Sequence, residues 1–286
     1  MSRSALRPAA LVILLSTEVA HAHGVVGDRF FPATITSDDP FAADELALPT
    51  ISLGNHEEDY EFEYTKSIVP HLSLSFGGGY VNAHPPGDHS AGWENLEITP
   101  TWQFVTESES EFVLSAAFSF EIGGSGSAAV ADTFTTYTPK ILFGKGFGDL
   151  PDSMALLRPF ALTGVVGYAI PGSHAVSKSI EWSGAVEYSL LYLQNNVRDQ
   201  GFSEALARLT PVVEYSFSSP TDAGGTTGTI DPGLIWTGQY IQFAAEAVLP
   251  VNHASGDNVG VRMQLHFYLD DIFPHSLGAP IIGDRR

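Results

Sequence analysis

The chain contains no cysteine and few basic residues, and both shortages limit what it can do. Without cysteine it forms no disulfides, thiolate metal ligands or thiol nucleophiles, so its stability depends on packing and on backbone hydrogen bonds. Its 13 lysines and arginines stand against 33 acidic residues, which gives a net charge of −20. Nucleic acid is therefore excluded as a partner, because phosphate binding depends on Lys and Arg.

Long apolar runs are also absent. An apolar stretch at 9–15 follows two arginines and precedes Ala-His-Ala at 20–22, which is the pattern of a cleaved signal peptide. This stretch is far shorter than the roughly 20 residues that a membrane-spanning helix needs. We therefore predict a signal peptide over 1–22 and an exported protein that is not anchored by helices.

From Leu48 onward, apolar and polar residues alternate with a period of two. In the segment 96–104, LEITPTWQF, one face carries Leu, Ile, Pro, Trp and Phe and the other carries Glu, Thr, Thr and Gln. Such a strand has one apolar face and one polar face, as in a membrane barrel with a polar interior. About twelve segments of this kind are predicted as strands, near 49–56, 58–68, 71–82, 93–105, 111–122, 132–144, 155–168, 180–193, 206–218, 228–236, 239–249 and 259–270.

The predicted fold is all-β: an antiparallel up-and-down transmembrane β-barrel of about 12 strands that follows a cleaved signal peptide. The predicted regions are a signal peptide at 1–22, an N-terminal periplasmic segment at 23–47, the barrel at 48–270 and a C-terminal tail at 271–286. Long polar connections alternate with short turns, as in bacterial barrels. The connections at 145–154 and 194–205 exceed a tight turn and are predicted to carry short helical turns.

Two features leave alternatives open. A secreted β-sandwich also alternates its faces, so it is the soluble alternative to the barrel. Prolines stand inside several predicted strands, where they mark either a ring of bulges or a less regular barrel. These are Pro100, Pro139, Pro159, Pro211 and Pro232.

If the polar faces point inward, the lumen is acidic with a few basic positions. An acidic pore favours cations or neutral solutes over anions, whereas buried ion pairs plugging a narrow barrel are the alternative. The residues predicted to line the lumen are Glu61, Glu63, Glu97, Gln103, Glu121, Lys140, Glu187, Arg208, Glu214, Glu246, Arg262, Gln264 and His266.

Metal and enzyme chemistry receive little support from the sequence. Histidines in predicted loops could ligate a metal, with His23, His84 and His89 as candidates, but no His-Glu-x-x-His spacing is present. His253 and Ser255 loosely resemble the His and Ser of the outer-membrane phospholipases without matching their spacing. We predict no cofactor, no catalytic residue and no enzyme activity, with a metal-binding surface protein and a barrel lipid hydrolase as alternatives.

Both ends of the predicted mature chain resemble a known family. The stretches HGVVGDRFFP at 23–32, DPFAADEL at 39–46 and HFYLDDIFP at 266–274 are similar to outer-membrane proteins grouped with putative transporters of the phenol meta-cleavage degradation pathway. The resemblance implies a barrel that passes small hydrophobic or aromatic molecules. The chain departs from many barrels by running past Phe267 to Arg286, so either the insertion signal is internal or the tail folds back into the periplasmic mouth.

The sequence thus predicts a Gram-negative outer-membrane channel or transporter for small molecules. Its expected partners are outer-membrane lipid and lipopolysaccharide, the barrel-insertion machinery and a small-molecule solute. A secreted or surface structural protein is the main alternative.

Overall fold

A computed structural model describes residues 24–54, 56–85 and 87–283. The predicted signal peptide at 1–22 and the metal candidate His23 lie outside these residues, as does the end of the predicted tail. No helix in the described part of the chain combines the length and the apolar character needed to cross a membrane.

Strands dominate the described residues, with short helical pieces in the connections. The strands are β1 (Val25–Val26), β2 (Arg29–Phe30), β3 (Glu45–Gly54), β4 (Glu57–Val69), β5 (Leu72–Ala83), β6 (Ser90–Trp93), β7 (Glu97–Glu107), β8 (Phe112–Glu121), β9 (Thr136–Gly146), β10 (Phe160–Pro171), β11 (Ser179–Tyr188), β12 (Leu209–Pro220), β13 (Thr227–Thr237), β14 (Ile241–Pro250) and β15 (Gly260–Tyr268). The α-helices are α1 (Leu190–Tyr192), α2 (Glu204–Ala207) and α3 (Leu269–Ile272), beside a 3₁₀ helix at Asp152–Leu157 and a π-helical turn at Leu193–Val197.

The described strands close into a twelve-stranded antiparallel barrel, which confirms the predicted fold. Neighbours along the chain pair with one another from β7 to β15, β15 pairs with β3, and β4 pairs with both β3 and β5. β5 pairs with β7 through its first half, while the short β6 extends the far end of β5 as a hairpin. Closure removes the unpaired edges that an open sheet would expose.

The first barrel strand begins at Glu45, earlier than the predicted start at residue 48. Leu46 pairs with Phe267 on one side and with Tyr64 on the other, so the ladder is already formed there. A register shift between Ala47 and Thr50 spans Pro49. This irregularity interrupts the period of two, and it explains why alternation alone placed the strand's start too late.

Polar side chains are buried inside the barrel and apolar ones are exposed outside. Glu214, Asp231 and Gln242 have no exposed surface, whereas Trp102 and Phe243 remain more than half exposed. A soluble sandwich would bury its large apolar residues between two sheets and expose its charges. The secreted sandwich alternative is therefore wrong, because the sheet closes on itself around a polar interior.

The two mouths of the barrel differ in their connections. We call the end where β3 begins and β15 ends the terminal mouth, and the opposite end the loop mouth. The longer loops at the loop mouth include 122–135 and 251–259, whereas the terminal mouth has the tight turn at 70–71. The two longer connections at the terminal mouth carry the predicted helical turns, at Asp152–Leu157 and within 190–207.

Unlike Pro49, Pro139 and Pro232 interrupt pairing within the wall without changing register. Pro232 pairs with Val213 of β12, but the ladder towards β14 has a gap between Ile230 and Gly233. Pro139 likewise pairs with Phe118 of β8 and leaves a gap towards β10. A proline lacks the N–H needed for a full ladder, so each of these residues loses pairing on one side only, and no register shift is found at either among the described residues.

Both ends of the described chain return to the barrel. Residues 24–44, part of the segment predicted as periplasmic at 23–47, run from the terminal mouth into the lumen, where they contact side chains of the inner wall. At the other end, the backbone N–H groups of Ile281 and Ile282 donate to the carbonyls of Ser67 and Ile68 at the terminal mouth. The tail therefore folds back against the barrel, which is one of the two arrangements that the sequence left open.

Candidate functional site

The candidate site is the lumen together with the chain that enters it. We call residues 24–44 the plug segment and its residues 34–39 the plug apex. The plug segment touches strands all around the ring. Its partners on the wall include Lys66, Gln103, Ser115, Lys140, Ser183, Glu214, Asp231, Gln242, Glu246 and Arg262.

A single carboxylate holds the backbone of the apex. Glu214, in the middle of β12, accepts hydrogen bonds from the backbone N–H groups of Ile35 at 3.0 Å, Thr36 at 2.7 Å and Ser37 at 3.3 Å. Successive N–H groups converging on one anion form a compact, charge-assisted interaction. The apex therefore has a defined docking point on the wall.

Thr36 extends this docking point across neighbouring strands. Its hydroxyl lies 2.6 Å from Glu246 Oε1 and 3.2 Å from Asp231 Oδ2, and it also accepts a hydrogen bond from Arg262. Arg262 in turn lies 3.3 Å from Glu246 and donates to Ser52 Oγ at 2.9 Å. One guanidinium thus offsets part of the negative charge that gathers around the apex.

Other apex residues contact β11 and β9, on the other side of β12 from the strands that Thr36 contacts. The hydroxyls of Ser37 and Ser183 lie 2.9 Å apart, and Asp38 pairs with Lys140 at 2.7 Å. Ile35 packs against a small apolar cluster that includes Ile235. The apex consequently bridges the lumen instead of lining one side of it.

The first flank of the plug segment is anchored by a buried arginine. Arg29 is 1% exposed, donates to the carbonyl of Pro159 at 2.9 Å and lies 3.3 Å from Glu111. Its guanidinium also stacks over the ring of Tyr192 at 3.9 Å. Burial and the nearby Glu111 carboxylate raise the pKa of Tyr192 to about 12, so its hydroxyl keeps its proton and donates to Glu111 at 3.0 Å. We call this group the arginine clasp.

The second flank ends at a buried aspartate. Asp44 has no exposed surface and accepts hydrogen bonds from Lys66 Nζ at 2.6 Å and from the Ser67 backbone at 2.8 Å. Its own carbonyl accepts from the backbone N–H groups of Leu269 and Asp270. This aspartate clasp therefore joins the plug segment to β4 and to the start of the tail.

Two chambers of different charge lie beside the apex. The acidic chamber, of about 370 Å³, is lined by carboxylates, and no lysine or arginine among the described residues lines it. Its acidic residues are Glu61, Glu63, Glu94, Glu97 and Glu121. The mixed chamber, of about 510 Å³, contains both Lys140 and Arg262 together with Asp38, Glu181 and several hydroxyl groups.

Glycines of β5 make room for the acidic chamber. Gly77 and Gly78 line it, and a side chain at Gly79 would collide with the carboxylate of Glu94. Glu94 lies in the connection before β7, where burial raises its pKa and the neighbouring Glu61 and Glu121 raise it further. The chamber is thus crowded with carboxylates at the side nearest the loop mouth.

Most residues predicted to line the lumen do lie on its wall. The acidic chamber is bordered by Glu61, Glu63, Glu97, Glu121 and Gln264, and the mixed chamber by Lys140 and Arg262. The inner faces of β11, β12 and β14 bury Glu187, Glu214 and Glu246, respectively. Gln103 contacts Ala42, and His266 pairs with Glu45 at 2.8 Å. Their part in transport remains a prediction.

Arg208 is the exception among these residues. It follows α2 and lies at the terminal mouth, where it pairs with Glu204 at 3.0 Å and donates to the carbonyl of Thr237. Sequence reasoning missed Arg29, Thr36 and Asp44, because it placed the whole plug segment outside the barrel. The only local signal for them was the cluster of charged and aromatic residues at 28–31.

The histidine and hydrolase candidates form no site in the described residues. His84 and His89 stack at 4.7 Å at the loop mouth, but no group of three or more metal-ligating side chains is found in the described part of the chain. His253 bonds Asp257 at 2.7 Å, while the Ser255 hydroxyl bonds Asn252 at 3.0 Å. The described contacts therefore do not join His253 to Ser255 as a base and nucleophile.

Solved structures with a similar fold include outer-membrane channels. The KdgM porin gives a TM-score of 0.52 at 12% identity, over 78% of this chain and 98% of the porin. The same porin in complex with disordered oligogalacturonate gives 0.51 at 12% identity, over 78% and 98%. An outer-membrane channel from Pseudomonas putida F1 gives 0.50 at 10% identity, over 84% and 99%. These likenesses show that the chain has the fold of outer-membrane β-barrel channels.

No family model and no curated protein matches the chain. The resemblance to transporters of the phenol meta-cleavage pathway therefore stays a prediction.

Proposed function

We propose that this protein is a passive outer-membrane channel for small polar solutes that are neutral or positively charged, with the plug segment docked at rest. The observation that carries this proposal is the acidic chamber, which no lysine or arginine among the described residues lines. Charged groups along a pore disfavour ions of the same sign. Anions are therefore expected to pass less readily than cations.

The surroundings of the barrel follow from its outer surface. Exposed aromatic and aliphatic side chains such as Trp102, Val166 and Phe243 suit contact with outer-membrane lipid and lipopolysaccharide. Export by a signal peptide and assembly by the barrel-insertion machinery belong to the same proposal.

The solute class can be narrowed by the lining. The chambers are bordered mainly by carboxylates, hydroxyls and amides, which favours polar solutes. The oligogalacturonate of the similar porin is an acidic ligand, and the acidic chamber speaks against carrying it over to this chain. Passage of hydrophobic or aromatic molecules rests on the sequence resemblance, and uptake of a phenolic compound into liposomes tests it separately.

Ion selectivity in planar bilayers tests the proposal. Under a KCl gradient, the reversal potential is expected to show a preference for potassium over chloride. In the combined variant Glu61→Gln and Glu97→Gln this preference is expected to fall, by about twofold or more, because two pore carboxylates are lost.

The combined variant Glu107→Gln and Glu109→Gln is the matched control, because it also removes two carboxylates, from exposed positions at the terminal mouth. Its reversal potential should equal that of the wild type. Purified protein that neither conducts nor admits solutes into liposomes contradicts the channel function, and a preference for chloride contradicts the proposed role of the acidic chamber.

A further inference from the structure

The flanks of the plug segment are held more firmly than its apex. Val26 and Phe31 are 1% exposed on the first flank, and Ala43 and Asp44 are fully buried on the second. In the apex, by contrast, Asp38 is exposed, and Ile35, Thr36 and Asp39 are only half-buried. Four of the six apex side chains are therefore accessible, while Thr34 and Ser37 are buried; on the first flank, Gly27 and Asp28 are the exposed residues.

Space for movement also lies beside the apex. Ile35 borders the acidic chamber of about 370 Å³, whereas Thr36 and Asp38 border the mixed chamber of about 510 Å³. A third cavity, of about 130 Å³, borders the whole apex and also Phe41 on the second flank. The apex thus has volume on either side into which it can shift without displacing the wall.

The contacts of the apex differ from those of the arginine clasp and the aspartate clasp in how easily water replaces them. At the apex, Thr36, Asp38 and Ser183 border the mixed chamber, so water can satisfy the groups freed from these contacts, whereas Glu214 is buried and is the firmest apex contact. At the clasps, removing Arg29 would leave Glu111 without its cation, and removing Asp44 would separate Lys66 from its carboxylate. Separating buried charges is costly, because nothing in the interior replaces the lost partner.

We infer that the plug segment is a tethered gate: the apex at 34–39 leaves Glu214 and moves into a neighbouring chamber, while the arginine and aspartate clasps stay docked. This inference rests on the proposed channel function and names the part of the chain that opens the path. It differs from release of the whole segment into the periplasm, which would break both clasps.

Because the chain has no cysteine, single introduced thiols can test this inference directly. Three single variants each carry one thiol at a buried position: Ser37→Cys in the apex, Val26→Cys on the first flank and Ala43→Cys on the second. In liposomes, a water-soluble thiol reagent is expected to label the Ser37→Cys variant at least about 10-fold faster than the other two, because local opening exposes only the apex.

Equal labelling of all three variants would mean that the whole segment leaves, and it would overturn the inference. Protection of all three thiols in a protein that conducts would overturn it as well, and would leave the channel function standing. Fast labelling of Ser37→Cys in a protein that never conducts would keep the mobile apex and overturn the proposed function.

A reversible lock gives a second, independent readout. The Ser37 and Ser183 hydroxyls lie 2.9 Å apart, close enough for the double variant Ser37→Cys and Ser183→Cys to form an S–S bond of about 2.05 Å after small side-chain rotations. Oxidation is expected to lower conductance at least about 10-fold, because it ties the apex to β11, and reduction should restore it. The single variant Ser183→Cys is the control and should conduct equally in both conditions. Unchanged conductance in the oxidised double variant, once the crosslink is verified by mass, would overturn the inference.

Discussion

Charged side chains inside the barrel are held by partners on other parts of the chain, and Arg29 illustrates the principle. It is buried to 99%, yet it meets two backbone carbonyls, the carboxylate of Glu111 and the face of Tyr192. Both carbonyls belong to the connection between β9 and β10, Glu111 lies in the turn before β8, and Tyr192 lies in the connection between β11 and β12. A single side chain therefore ties the start of the plug segment to three turns.

Replacing Arg29 by methionine is expected to destabilise the protein by about 3–5 kcal/mol, because Glu111 would stay buried without its cation. Denaturant unfolding in detergent, followed by tryptophan fluorescence, measures the change. Arg198→Met is the matched control, because Arg198 is exposed, and its effect should stay below about 0.5 kcal/mol. Equal stability of the two variants would show that the arginine clasp contributes little.

At the scale of elements, the barrel strands and the plug segment follow different rules. The strands were predictable because alternation is a local property: each segment such as 96–104 shows its two faces within a few residues. The plug segment has no such period. Thr36 finds its partners at Asp231, Glu246 and Arg262, which lie roughly 200 positions away in the chain. Nothing in the local sequence signals contacts of that range.

The misplacement of Arg208 has a local cause. Thr210, Val212 and Glu214 face the lumen, and Arg208 shares their parity. The regular count fails there because α2 extends to Ala207 and the strand begins only at Leu209. Alternation identifies the face of a residue only inside the strand, so the positions just before a strand are the least secure.

Replacing the plug apex at 34–39 with glycine and serine residues of equal number is expected to increase the fraction of time that the channel is open. With glycine at positions 35, 36 and 38, the replacement removes the Thr36 hydroxyl, the Ile35 side chain and the Asp38–Lys140 pair, and glycine also raises the entropy of the released state. Single-channel recordings measure the open fraction. The same replacement in the exposed loop at 221–226 is the control and should leave gating unchanged. An open fraction equal to that of the wild type would show that the apex contacts do not hold the channel closed.

The whole molecule inverts the polarity of a soluble protein. Carboxylates and amides fill its interior, while tryptophan, phenylalanine and valine side chains cover its outer wall. The net charge of −20 is therefore partly concentrated along the path that a solute would take. The effect of these charges on permeation should therefore depend on screening by dissolved salt.

Cation preference is accordingly expected to weaken as salt rises. Between about 0.1 M and 1 M the screening length falls from about 10 Å to about 3 Å, so the chamber carboxylates act over shorter distances. Reversal potentials measured at one concentration ratio but at low and high absolute salt test this expectation. A preference that does not change with salt would point to size, and not to charge, as the basis of selection.

The aspartate clasp also sets an order of assembly. The carbonyl of Asp44 accepts hydrogen bonds from Leu269 and Asp270, which directly follow the last strand. The aspartate clasp can therefore form completely only after β15 has paired with β3. Such contacts between distant parts of a chain form only after the intervening residues have been organised. The plug segment, which precedes every barrel strand in the chain, is therefore expected to complete its docking only after the last barrel strand is in place.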